Sequence, residues 1–81
     1  MRVLTIRPLA LGWALSLAGV EEMLFSSGAE AEASARRLAA RLSDIGEAVK
    51  LIVTLRDGSV AGRFLFPPLG PAIGEELRGV A

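Results

Sequence analysis

Residues 49–66 read Val49-Lys50-Leu51-Ile52-Val53-Thr54-Leu55-Arg56-Asp57-Gly58-Ser59-Val60-Ala61-Gly62-Arg63-Phe64-Leu65-Phe66, two apolar-rich runs either side of an Asp-Gly pair. Asp-Gly readily supplies the two positive-φ positions of a type I′ hairpin turn. A two-residue loop places Arg56 opposite Ser59 and fixes the register. Leu55 then meets Val60, Val53 meets Gly62, Leu51 meets Phe64 and Val49 meets Phe66, all on one face. The reverse face carries Lys50, Ile52, Thr54, Arg56, Ser59, Ala61, Arg63 and Leu65, a mixed surface open to water or to a partner.

The element before this ribbon is a helix. Ser27-Gly28-Ala29-Glu30 matches the S-x-x-E capping box, in which serine and glutamate satisfy orphan amides reciprocally. Ala31, Ala35, Leu38, Leu42 and Ile45 follow at helical spacing and predict the apolar stripe, with Gly46 as a left-handed stop. Further upstream, residues 2–7 are rich in β-branched types and end at Pro8, which cannot donate to a ladder. Residues 12–18 predict a second strand with Trp13, Leu15 and Leu17 inward; residues 19–22 turn the chain, and residues 23–26 return it as a third strand. The fold expected is α+β: a mostly antiparallel sheet of four to five strands in the order β-β-β-α-β-β, with the helix packed on one face. Residues 1–66 form this domain, and residues 67–81 are a Pro/Gly-rich tail with room for a short helix at 72–78.

Gly12-Trp13-x-Leu15, the run Ala31-x-x-x-Ala35-Arg36-x-Leu38-Ala39 and Val49-x-Leu51-x-Val53-x-x-x-Asp57-Gly58-x-Val60 together resemble a family of small prokaryotic domains of unknown function. The resemblance covers about residues 11–66. It implies strand pairs flanking one helix and carries no activity with it.

With 81 residues the chain has room for one core and no second lobe. Apolar residues make up 52% of it, more than one small core hides, which points to a second buried surface through self-association. Nine basic and nine acidic side chains cancel, removing the broad positive field of a nucleic-acid or anionic-membrane binder. No cysteine and no histidine are present, so thiolate sites, disulfides and the commonest general base are excluded. The serines lie in no nucleophile motif, and the acids form neither a converging pair nor a calcium loop. The chain therefore reads as a non-enzyme without cofactor or metal, and no small-molecule substrate is identified.

Two surfaces remain as candidates. Ile52, Ala61 and Leu65, rimmed by Lys50, Arg63 and Arg56, form a low-polarity patch on the face that one helix leaves uncovered; Ala14 and Ala18 of the second strand extend it. Arg36, Arg37 and Arg41 form a basic ridge on the helix that suits phosphates, against its plainer role as a solvated face with Glu32 and Arg36 paired at i,i+4. The reading favoured is an interaction module joined to a second copy of itself, a homodimer, through the free sheet face or an edge strand. A nucleic-acid accessory using the arginine ridge is the alternative. Arg2 and Arg7 before the apolar run from Leu9 to Val20, with Ser16-Leu17-Ala18 in it resembling a small-x-small cleavage site, also fit a secretory leader. Pro8 and the large-small alternation from Trp13 favour a strand and a cytoplasmic protein, and the run is too short to span a membrane.

Overall fold

In the computed structural model, which describes residues 1–18 and 21–70, three strands precede one helix and two follow it. They are β1 (Arg2–Leu9), β2 (Gly12–Leu17), β3 (Glu21–Phe25), α1 (Gly28–Asp44), β4 (Val49–Thr54) and β5 (Val60–Phe66). All five strands belong to one sheet in the order β3-β2-β1-β4-β5, and α1 covers one face of it. Every neighbouring pair is antiparallel except the central β1–β4, which is parallel. A parallel pair needs a crossover, which β2, β3 and α1 together provide. The α+β fold and the β-β-β-α-β-β order are those expected. The sequence places the end of the first strand two residues short, at Arg7, but Pro8 and Leu9 pair with Trp13 and Gly12 beyond the last β1–β4 pair, Ile6 with Val53. Glu21 and Glu22, read as turn, open β3. The helix suggested at 72–78 lies outside the described residues.

The hairpin keeps its expected register over most of its length: Val49 faces Phe66, Leu51 faces Phe64 and Val53 faces Gly62. At the tip it does not. The Leu55 amide donates to the Ser59 carbonyl at 2.8 Å and the Gly58 amide to the Leu55 carbonyl at 2.9 Å, so the loop holds three residues, not two. A type I turn closed by one left-handed glycine asks for a positive φ only at Gly58, where φ is 89°. The resulting one-residue offset sets Thr54 against Val60 and is absorbed by a bulge between Val53 and Thr54. Leu55 and Val60, expected in the core, are consequently exposed.

Leu4, Ile6, Leu15, Val49 and Leu51 are fully buried beneath Ala31, Ala35 and Ala39 of the helix. The helical contact line therefore corrects the expected stripe: it runs Ala31, Ala35, Ala39, Ser43, with Leu38 and Leu42 only half-buried beside it and Ile45 66% exposed. The sheet contributes the bulk, so the helix contributes small side chains that bring its backbone close. Ser27 caps α1 by accepting the Glu30 amide at 3.1 Å, but the Glu30 carboxylate accepts from the Ser26 hydroxyl at 3.0 Å rather than completing the box. Gly46 ends the helix at φ 96°, as its position predicts. Past β5, the Ser43 hydroxyl donates to the Pro67 carbonyl, and the Leu69 and Gly70 amides return two bonds of 3.0 Å to the Ser43 carbonyl.

Candidate interaction surface

Strand pleating sorts the side chains into two faces, and the pairing register shows which rows they form. On the face away from α1, one row runs Glu22, Ser16, Thr5, Ile52, Arg63 across the whole sheet. The next brings Val3, Lys50 and Leu65 together, with Ala18 bonded to Val3 through its amide at 3.1 Å. Of the residues singled out from the sequence, Lys50 and Leu65 form one cross-strand pair and Ile52 and Arg63 the adjacent one, and Ala61 lies at the bulge. Leu65 is 65% exposed, and Ala61 and Arg63 are exposed as well. Ile52 and Lys50, on the inner strand of the ribbon, are half-buried.

The β2 end of this face is closed. Arg7 on β1 and Glu22 on β3 form an ion pair that crosses over β2, and the Ser16 hydroxyl donates to the same Glu22 oxygen at 3.1 Å. Ala14, placed in the patch on sequence grounds, lies under this crossing with 0% exposure and offers no contact area. Leu24, missed in the sequence, is instead 70% exposed on the outer strand of the same face. Its signal was present: Met23 and Phe25 pair with Leu15 and Trp13 on the helix side, so Leu24 between them must point away.

The arginine ridge is divided. Arg36 bonds Glu32 at 3.0 Å and stacks 4.5 Å over the Phe64 ring, at the β5 side of the helix. Arg37 donates to the Ser34 hydroxyl at 3.1 Å, and with Arg41 it borders a cleft over Leu17, Met23 and Leu38 at the β2–β3 side. The three guanidiniums thus do not converge on one surface. Among the described residues there is no cluster of three or more carboxylates able to hold a metal ion, and no helix is long and apolar enough to cross a membrane. The Ser59 hydroxyl, and then the Ser59 amide, bond the Asp57 carboxylate and hold its pKa below the usual carboxylate value. Comparison of the chain with protein-family models, with curated proteins and with solved structures finds no match.

Proposed function

We propose that this domain is a non-enzymatic interaction module that pairs with a second copy of itself through the helix-free face of its sheet. The observation that carries the reading is the Lys50–Leu65 and Ile52–Arg63 pairing, which gathers apolar groups inside a basic rim next to the exposed edge strand β5. Among the described residues the one helix packs on the opposite face, and an apolar centre with a polar rim is the anatomy of a protein interface. The edge of β5 continues the same surface and extends it to strand pairing.

Light scattering on the purified protein from low to high micromolar concentration tests this. The expected result is a dimer mass that falls to monomer in Ile52→Glu and in Leu65→Glu. A monomer at every concentration, or a dimer indifferent to both substitutions, overturns it. A nucleic-acid accessory built on Arg36, Arg37 and Arg41 draws less support, because Arg36 is engaged by Glu32 and Phe64 on the far side of the helix from the other two.

A further inference from the structure

β1 and β4 are neighbours and parallel, and past their carboxyl ends the chain leaves in opposite directions, from β1 into β2 and from β4 into β5. In open α/β sheets a divergence of this kind marks the crevice that receives ligands; here the two departing connections are hairpins. A shallow, open cleft of about 410 Å³ lies there, bordered by Arg7, Pro8 and Leu9 of β1, by Thr54 of β4, and by Leu55 and Arg56 of the loop that follows it. Its size is that of a small-molecule site. Arg7 and Arg56 are among the lining residues and no acidic residue is, although the Arg7 guanidinium itself turns over β2 toward Glu22.

The cleft is built rather than incidental. Arg56 donates to the Leu9 carbonyl at 2.7 Å, and its guanidinium lies 5.8 Å from the Trp13 ring, so the side chain is positioned while most of its N–H groups stay uncommitted. Thr54 donates to the Ile6 carbonyl at 2.8 Å and ties the two strand ends together. Two acids stand near. Asp57 spends one oxygen on both Ser59 bonds, and Glu22 reaches Arg7 from β3, outside the lining.

We propose that this cleft binds a phosphomonoester, its dianionic head held by Arg56 with a share from Arg7, and its organic part against Pro8, Leu9 and Leu55. Planar guanidinium forks match phosphate oxygens in pairs, and two cations balance a dianion. Glu22 competes with the ligand for Arg7. Arg7 lies on the helix-free face, so the site adjoins the proposed dimer surface; light scattering reads the dimer and titration reads the ligand, so either can fail without the other.

The test is a titration followed by amide NMR, with phenyl phosphate and inorganic phosphate as probes at an ionic strength held constant with sodium chloride. The expected result is a saturable shift confined to residues 7–12 and 54–59, stronger for phenyl phosphate. Arg56→Ala is expected to weaken binding roughly tenfold or more, the effect of losing a charge-assisted bond. Arg56→Lys, which keeps the charge and the side-chain stem, falls between, and Glu22→Gln tightens binding several-fold by releasing Arg7. Unshifted helix amides in each variant, and unshifted β3 amides in the Arg56 variants, verify that the fold is intact. Shifts that never saturate and spread over Arg36, Arg37, Arg41 and Lys50, an Arg56→Ala variant that binds as before, or a Glu22→Gln variant with unchanged affinity each overturn the proposal.

Discussion

Ser43 and Pro67 close the domain reciprocally: the buried Ser43 hydroxyl donates to the Pro67 carbonyl, while the Ser43 carbonyl accepts the Leu69 and Gly70 amides. Ser43→Ala leaves the Pro67 carbonyl without this donor and keeps the two backbone bonds. The expected cost is about 1–2 kcal/mol, which for a domain of this size lowers Tm by roughly 5–15 °C. Thermal unfolding by circular dichroism measures it.

The helix approaches the sheet through side chains with no room to grow. Ala35 has 0% exposure, so Ala35→Leu must displace the helix or strain its neighbours, at about 1–3 kcal/mol or more. Ala33 is exposed on the opposite side of the same helix, and Ala33→Leu is expected to change stability by no more than about 0.5 kcal/mol. Urea midpoints of the two variants provide the comparison, and equal midpoints contradict the packing described.

Two glycines are needed for different reasons. A Cβ on Gly12 would sit 2.6 Å from the Phe25 carbonyl oxygen, a backbone atom that yields only if β3 shifts, so Gly12→Ala is expected to cost about 1–3 kcal/mol. A Cβ on Gly58 meets nothing within 4 Å, but the residue holds φ at +89°. Gly58→Ala therefore pays only for backbone strain, about 1–2 kcal/mol. The Gly12 substitution should also speed hydrogen exchange at β3 amides, which the Gly58 substitution leaves alone.

Acid should loosen the hairpin tip first. The Ser59 hydroxyl and amide lower the Asp57 pKa in the folded chain. A depressed carboxyl contributes stability that is present above its unfolded value, near pH 4, and is lost as pH falls through the folded value. Asp57→Asn removes that dependence. Tm recorded from pH 7 to pH 2 is expected to fall less steeply below about pH 4 in the variant than in the parent, and parallel curves would show that the Ser59 bonds do not distinguish the charged form.

Legibility in the sequence followed where local chemistry is unambiguous. Alternation on either side of Asp57-Gly58 gave the pairing of Val49, Leu51 and Val53, because a one-residue slip along the ribbon would turn its apolar set outward. Ser27 and Gly46 marked the helix ends for reasons internal to a few residues. The bulge was not visible, since a two-residue and a three-residue loop both use Asp-Gly and differ only in how later residues compensate. The contact line Ala31-Ala35-Ala39-Ser43 was not visible either. A search for large apolar residues selects Leu38, Leu42 and Ile45, whereas the volume here resides in the strands and the helix fits by being small. The division of the arginines follows from that rotation: once alanines face the sheet, Arg36 and Arg37 fall to opposite flanks.

Arg2 pairs with Val49, and Gly70 is tied to Ser43, so both ends of the core emerge at one pole, while the Arg7–Arg56 cleft opens at the other. A fluorophore, surface tether or fusion partner attached ahead of Arg2 accordingly sits roughly a strand's length from that cleft, and a protein immobilised there would present it outward.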